Sequence, residues 1–162
     1  MEPLRAIRFF QQSHNQFLAS FQELEPESLL KAQVEGEWTI KELISHLTSW
    51  NNTLLFPLRR HSSDQEITID LVPDVLEYNR EQSMLWDSKD FHLVLEEFQL
   101  AVKEILERLN QLPPEVWQRA YQVPWGGRDS LANIVAGLAD HAREHTESIQ
   151  HWRQINVKST LN

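Results

Sequence analysis

Apolar residues recur at intervals of three and four in four long stretches of the chain, which is the spacing of one face of a helix. The breaks between these stretches are mostly polar and several contain proline. β-Branched runs are scarce, and the chain has only 4 glycines, so little favours long strands. The pattern predicts four long amphipathic helices, over residues 4–24, 40–60, 91–112 and 130–155.

Particular residues mark where these predicted helices begin and end. Thr39 and Glu42 have the spacing of a capping box, in which each side chain accepts a hydrogen bond from the other residue's backbone amide. Pro113 stops the third helix, and Asp129 or Ser130 caps the fourth. Helices of about 20 residues span roughly 30 Å, so four of them suit an antiparallel bundle with a single core.

The segment between the second and third predicted helices is different. Residues 62–66 are polar and predict an exposed loop, and a shorter helix starts at Pro73. A connection of about 30 residues is too long for a tight turn, so we expect it to cross an end of the bundle. The predicted fold is an all-α, antiparallel four-helix bundle with a long crossover that carries a short extra helix. Residues 1–155 form one predicted domain, and residues 156–162 form a tail that frays.

Composition narrows the classes of function. The chain has 162 residues, of which 41% are hydrophobic, and this is enough for one core. Its net charge of −9 repels phosphate backbones and anionic membrane surfaces, so we expect neither a nucleic-acid nor a membrane partner. No stretch reaches the roughly 20 apolar residues of a membrane span, and the first residues do not resemble a signal peptide. We therefore expect a cytoplasmic protein that is a monomer or a homodimer.

Three histidines lie on the predicted core-facing sides of two helices. His141 and His145 are one turn apart on the fourth helix and point the same way, and His46 has the corresponding place on the second. A buried imidazole needs a partner, and the chain has no cysteine that would offer a thiolate. We therefore predict a metal site of three histidines. His14, on the inward side of the first helix, is interpreted as a core residue, with a role as fourth ligand as the alternative.

The residues around these histidines favour an open site. Three neutral imidazoles leave coordination positions free, which suits zinc with a bound water, and octahedral nickel or iron fits equally well. Glu144 is predicted to orient a bound water or an imidazole, whereas Asp140 is interpreted as a solvent-facing charge. Gly137 and Trp50 each lie one turn from a candidate ligand. We predict a substrate pocket here, in which Gly137 leaves space and Trp50 forms a wall. The alternative for Gly137 is close packing between helices, and the alternative for Trp50 is an ordinary position in the hydrophobic core.

The run from His141 to His145 also matches the H-x-x-E-H pattern of inverted zinc proteases, in which Glu144 is the general base. Three fixed residues in five make a weak pattern. Such a site also requires a distant glutamate ligand in place of His46. We therefore favour the site of three histidines.

Several short elements carry a resemblance to a known family. They are Trp38-Thr39, His46-Leu47, the turn Pro124-Trp125-Gly126-Gly127, and His141-x-x-x-His145. With these elements the chain resembles the DinB/YfiT-like family of four-helix metalloenzymes over most of its length, and residues 45–50 with Tyr78-Asn79 are similar to the ClbS/DfsB branch. The resemblance implies a divalent metal, usually nickel or zinc, on His46, His141 and His145, with water completing its shell.

The same resemblance implies chemistry on small molecules. Some members of the family resemble thiol-dependent transferases that use bacillithiol, mycothiol or glutathione, and others hydrolyse a reactive natural product. We therefore expect a detoxification or stress-response enzyme, in the first place a thiol S-transferase with a low-molecular-weight thiol as co-substrate. A metal-dependent hydrolase is the alternative. A third alternative is a non-catalytic binding or stress protein whose metal only braces the bundle, and this predicts a closed site.

Overall fold

The long helices follow the apolar stretches of the sequence in the computed structural model, which describes residues 1–62 and 64–157. Residue 63 of the predicted loop and residues 158–162 of the predicted tail lie outside this part. The elements, in chain order, are α1 Pro3–Phe21, α2 Pro26–Lys31, β1 Gln33–Glu35, β2 Trp38–Thr39, α3 Ile40–Arg60, α4 Val75–Asp87, α5 Phe91–Asn110, α6 Pro114–Trp117, β3 Ala120–Gln122, β4 Arg128–Ser130 and α7 Leu131–Asn156. Helices α1, α3, α5 and α7 pack as a bundle, which confirms the predicted all-α fold class.

The predicted caps begin the two helices that carry the candidate ligands. The Thr39 hydroxyl accepts from the Glu42 amide at 3.3 Å, and the Thr39 amide donates to the Glu42 carboxylate at 3.3 Å, so the capping box begins α3. Ser130, rather than Asp129, is the N-cap of α7, because its hydroxyl accepts from the Asn133 amide at 3.2 Å.

The first and third long helices are shorter than the sequence pattern predicted. α1 ends at Phe21, and Leu24 is buried in the turn that follows, so apolar burial continues after the helical hydrogen bonds have stopped. α5 ends at Asn110, and Pro114 begins the separate short helix α6. Leu4 is 65% exposed, so the core-facing stripe of α1 starts later than its first apolar residue.

α1 and α7 lie side by side and run in the same direction. Near the start of both helices, the amino terminus of Met1 donates to Asn133 Oδ1 at 3.1 Å. Near the end of both, the Arg153 guanidinium donates to the Ser20 carbonyl at 2.7 Å. The two helices are therefore a parallel pair.

α3 and α5 form a second parallel pair, which the long crossover makes possible. Arg59, near the end of α3, forms an ion pair with Glu104 in the second half of α5, with a distance of 2.6 Å. Lys41, near the start of α3, donates to the Asp87 carbonyl at 3.0 Å, just before α5 begins. The chain must therefore return along the whole bundle between α3 and α5, and α4 packs along α3 on the way. We had predicted a crossing at one end of the bundle, and the parallel direction of α5 rules that path out.

α3 and α7 run in opposite directions and hold the histidines between them. The His46 ring lies 5.1 Å from the His145 ring, and one turn further along α3 the Trp50 ring lies 6.3 Å from the ring of His141, one turn earlier on α7. The bundle core lies between the four long helices, and its largest fully buried side chains include Phe10, Phe17, Leu43, Leu47, Phe98, Ile105 and Leu131. None of the described helices is both long and apolar enough to cross a membrane.

Two short antiparallel hairpins, β1–β2 and β3–β4, were not predicted. Their strands have only 2 or 3 residues, so an alternation of apolar and polar residues has no room to show in the sequence. Gly36 turns the first hairpin with φ of 56°, and Gly126 and Gly127 turn the second with φ of 121° and 80°, values that favour glycine. The first hairpin contacts α7 through β1, and the second leads into the start of α7.

Candidate metal centre

Three imidazole nitrogens converge between α3 and α7. His141 Nε2 lies 2.9 Å from His46 Nε2 and 3.1 Å from His145 Nε2. One ligand atom from each of the three residues lies within 4.8 Å of the other two. The capping box sets where α3 begins and so where His46 stands, and the spacing of four residues on α7 brings the other two rings together.

These distances suit nitrogens that share one ion. Imidazole nitrogens bind zinc at about 2.05 Å, so two of them lie about 2.9 Å apart at a right angle and about 3.3 Å apart at the tetrahedral angle. The observed separations of 2.9 and 3.1 Å fall within that interval. The three histidines therefore form a group that can hold a divalent metal ion, and the donor set consists of nitrogen.

Burial keeps the rings in the state that a metal ligand requires. Desolvation by burial, followed by the charges of the neighbouring histidines, lowers the pKa of His46 to about 2. Burial likewise lowers the pKa of His141 to about 3, followed by the charge of His145 and then that of His14. Both rings are therefore neutral at neutral pH, and a neutral imidazole is the form that binds a metal.

Glu35 is a residue of the site that sequence reasoning missed. Its Oε1 lies 2.9 Å from His145 Nδ1, although the two residues are 110 positions apart. Because a carboxylate accepts, His145 carries its proton on Nδ1 and keeps the lone pair of Nε2 free for a metal. Glu35 stands on β1, beside the positive-φ Gly36, and no periodic pattern in the sequence connects this short hairpin with α7.

The structure places the two predicted acidic neighbours on the outside of α7. Glu144 is exposed, because one step along a helix turns the side chain by about 100° away from His145. Asp140 accepts from Arg143 at 2.9 Å, in an ion pair at the surface. The carboxylate that contacts one of the three histidines, His145, is thus that of Glu35. The predicted role of Glu144 stays a prediction without a contact to support it.

His14 is a core residue with both ring nitrogens in use. Its Nδ1 donates to the Phe10 carbonyl at 2.7 Å, and its Nε2 accepts from Asn51 Nδ2 at 3.0 Å. It is fully buried, and desolvation lowers its pKa to about 4. These bonds leave no free lone pair on the ring for a metal, so the structure favours the interpretation of His14 as core over that of a fourth ligand.

A cavity of about 250 Å³ opens beside the three histidines. It is lined by His46, Trp50, Val75, Asn79, Trp125, Gly137, Leu138 and His141. Trp50 and Gly137, the two residues that the sequence associated with a pocket, are both in this wall. Trp50 Nε1 donates to Asn79 Oδ1 at 2.9 Å, which fixes the orientation of the indole ring.

Two further tryptophans, Trp38 and Trp125, also belong to the site. The Trp38 ring meets the His46 ring edge-on, with 4.6 Å between centroids. The Trp125 ring lies against Gly137, where an added Cβ would be 2.5 Å from Trp125 Cζ2. Gly137 is therefore small because it leaves room for the ring of Trp125, which comes from the turn of the second hairpin.

A larger groove of about 860 Å³ lies elsewhere, between α3 and the segment that includes α4. Phe56, Leu71 and Leu85 are among its apolar residues, and none of the three converging histidines lines it. Its volume exceeds that of the cavity, but the chemistry of the converging imidazoles belongs to the smaller space. We therefore assign the candidate site to the 250 Å³ cavity.

A four-helix bundle that brings three histidine nitrogens together beside a cavity defines a class of candidate metal-binding bundle proteins. The chain belongs to the DinB superfamily, whose family model matches residues 10–149.

Among solved structures, the chain is similar to the mycothiol-dependent maleylpyruvate isomerase, with a TM-score of 0.76 and 9% identity over 92% of this chain and 61% of that one. It is also similar to an uncharacterised protein from Escherichia coli UTI89, with a TM-score of 0.75 and 13% identity over 97% of this chain and 95% of that one. The chain thus spans less than two thirds of the isomerase, and at such identities these likenesses show the fold. No curated protein matches the chain in sequence.

Proposed function

We propose that this protein is a metal-dependent enzyme that joins a low-molecular-weight thiol, through its sulfur, to a small electrophile. The observation that carries the proposal is the convergence of three imidazole Nε2 atoms, of which those of His46 and His141 belong to residues that line an open, largely apolar cavity. His46, His141 and His145 would hold a divalent ion, which would act as a Lewis acid and lower the pKa of a bound thiol. Nickel or zinc suits these nitrogen donors, and iron is the alternative.

The arrangement supports an open site over a closed bracing site. His46 and His141 line the cavity, whereas His145 is held from behind by Glu35. His14, the histidine that was considered for closing the site, is occupied by its bonds to Phe10 and Asn51. His46 and His141 thus face a space that admits a small molecule.

The cavity wall favours a thiol over water as the nucleophile. Within residues 1–62 and 64–157, the cavity has no aspartate or glutamate in its wall, and its titratable groups are His46 and His141. Hydrolysis commonly uses a general base within hydrogen-bond reach of the attacking water. A thiol that ionises readily has less need of such a base, because its thiolate is already a strong nucleophile.

In the proposed reaction the thiol releases its proton to solvent through the cavity mouth. Its sulfur forms a bond to the electrophilic carbon, and the leaving group departs with the electron pair of the bond that breaks. No oxidant or reductant is needed. The fold shared with a mycothiol-dependent enzyme supports a thiol as co-substrate. We place the reaction in the cytoplasm, where thiols stay reduced, with a small molecule as partner and the protein as a monomer or a homodimer.

Cobalt substitution tests the proposal. Addition of glutathione, bacillithiol or mycothiol to the cobalt protein should produce a new sulfur-to-cobalt absorption band. Conjugation of that thiol to 1-chloro-2,4-dinitrobenzene should be lost in His46→Ala, His141→Ala and His145→Ala. It should be kept in the control His151→Ala, because His151 is exposed on α7, the helix that carries His141 and His145. Turnover of an ester or amide without any thiol would contradict the proposal and favour the hydrolase. Absence of both the sulfur-to-cobalt band and any turnover, together with a lower melting temperature after metal removal, would favour a metal that only braces the bundle.

A further inference from the structure

We infer that the cavity beside the three histidines accepts a flat, uncharged aromatic compound that carries one hydrogen-bond acceptor. The inference rests on the proposed function in one respect, since it takes this compound to be the electrophile, and it narrows the class of that substrate. It is drawn from the chemistry of the cavity wall.

The wall offers no charged side chain to an anionic ligand. Apart from the candidate ligands His46 and His141, the described lining residues are apolar or uncharged. A carboxylate or phosphate that entered would lose its hydration without a cationic side chain to pair with. The net charge of −9 adds long-range repulsion of anions.

Flat rings form a corner of the cavity. The Trp50 and Trp125 ring centroids are 6.5 Å apart, with 59° between the ring planes. The His141 ring stands at 89° to that of Trp50, with centroids 6.3 Å apart. Such faces and edges bind other flat apolar groups by offset and edge contacts. At about 250 Å³ the cavity is smaller than the roughly 300–1,000 Å³ of drug-sized pockets, so it suits a compound of one or two rings.

Gly137 keeps the ring of Trp125 in this corner. An added Cβ would lie 2.5 Å from Trp125 Cζ2 and 2.7 Å from its Cη2, both far shorter than a van der Waals contact. The ring is the far end of a side chain that is 44% exposed, so it can swing outward when the glycine is replaced. Substitution of Gly137 therefore opens the corner without touching the three histidines.

Asn79 supplies the uncharged polar group of the wall. Its Oδ1 accepts from Trp50 Nε1, so the other arm of the amide, Nδ2 with two N–H groups, is its donor. Asn79 lines the cavity together with the aromatic corner. A ligand that uses both features is aromatic and has an acceptor such as a ketone oxygen.

Two matched ligands test the charge preference. The protein is first freed of divalent ions with a chelator, so that the comparison tests the cavity wall alone. It is then titrated, without thiol, with acetophenone and with 4-acetylbenzoate, which has the same ketone and an added carboxylate, and the dissociation constants are measured by ligand-observed NMR. We expect acetophenone to bind at least about tenfold more tightly, because the carboxylate would be desolvated without a partner. Equal or tighter binding of 4-acetylbenzoate would overturn the inference.

Four variants locate the binding. Trp125→Ala and Gly137→Ala should each weaken acetophenone binding by about tenfold, since both remove the indole from the corner. Asn79→Asp keeps the acceptor for Trp50 but loses the donor, so it should weaken acetophenone by about fivefold and leave toluene, which has no acceptor, unchanged. Phe56→Ala, in the larger groove, is the control and should change nothing. Loss of binding in the control, with retention in both corner variants, would overturn the inference.

The titration separates this inference from the proposed function, because it contains no thiol. If acetophenone binds more tightly than 4-acetylbenzoate but the protein conjugates no thiol, the proposed function is contradicted and the inference is not. If the protein conjugates thiol faster to carboxylate-bearing electrophiles than to neutral ones, the inference is contradicted and the proposed function is not.

Discussion

The contact between Glu35 and His145 decides which imidazole nitrogen is available for a metal. Loss of the carboxylate in Glu35→Ala removes the acceptor for Nδ1–H and frees the ring to change tautomer and orientation. We expect the affinity for zinc or nickel to fall by about 10- to 100-fold, as is usual for such outer partners. Glu35→Gln retains an acceptor oxygen, so its metal affinity should fall less. Competition with a chromophoric chelator measures the affinity.

Glu144→Ala is the matched control for this residue. It removes an acid that adjoins His145 in sequence but is exposed in the structure. An unchanged metal affinity is expected. If Glu144→Ala weakened the metal as much as Glu35→Ala, the role that the hydrogen bond assigns to Glu35 would be wrong.

His14 predicts a pH dependence of stability that is separate from the metal centre. Burial lowers its pKa to about 4 in the folded protein, whereas in the unfolded chain it takes up a proton near pH 6.5. Its contribution to the free energy of unfolding is therefore complete above pH 6.5 and decreases as the pH falls from about 6.5 towards 4, by about 1.4 kcal/mol per pH unit.

Urea denaturation of the metal-free protein between pH 7 and pH 5 measures this effect. The difference between the wild type and His14→Gln isolates His14 from the other histidines. We expect the wild type to lose stability more steeply on acidification, and the NMR signal of the His14 ring to remain that of a neutral imidazole over the same range. Parallel curves for the two proteins would contradict the account.

Among the elements, α3 depends on its first residues, because the capping box fixes where the helix that carries His46 begins. Thr39→Ala removes the hydroxyl that accepts from Glu42 and should lower the free energy of unfolding by about 1 kcal/mol. Thr39→Ser retains the hydroxyl and should lose much less. Chemical denaturation of both variants measures the difference, and equal losses in the two would rule out the cap as its cause.

The sequence predicted the elements that form through interactions between nearby residues. It did not predict those that depend on contacts between distant residues. The capping box of Thr39 and Glu42 and the pairing of His141 with His145 arise within one or two helical turns, so residue spacing was enough. Glu35 and Trp125 stand on hairpins of 2- and 3-residue strands, and they reach the site only through tertiary packing. The contributions of these two hairpins to the site therefore had no periodic signal in the sequence.

For the whole molecule, the ligands connect helices from the two parallel pairs, since His46 belongs to α3 and the other two histidines to α7. A metal that binds them should stabilise the fold as a whole. Zinc at about 100 times its dissociation constant should raise the free energy of unfolding by about 2.7 kcal/mol and raise the melting temperature with concentration. Thermal unfolding across a zinc series measures this, and a melting temperature independent of zinc would contradict it.

The path of the chain around the bundle is the part of the fold that spacing alone did not predict. Helix periodicity shows which face of α3 and of α5 is buried, but it does not show the direction in which each helix runs. The direction is seen in contacts such as that of Arg59 with Glu104, which are 45 residues apart and polar. The length of the crossover was visible in the sequence, and its route along the bundle followed only from these contacts.

Metal stoichiometry tests the central claim most directly, because the account rests on His46, His141 and His145 as one site. Elemental analysis of the purified protein should find about one divalent ion per chain, and the content should be lost in each of the three single alanine variants. His151→Ala, on the exposed side of α7, should keep it. Full metal content in all three site variants would contradict the account.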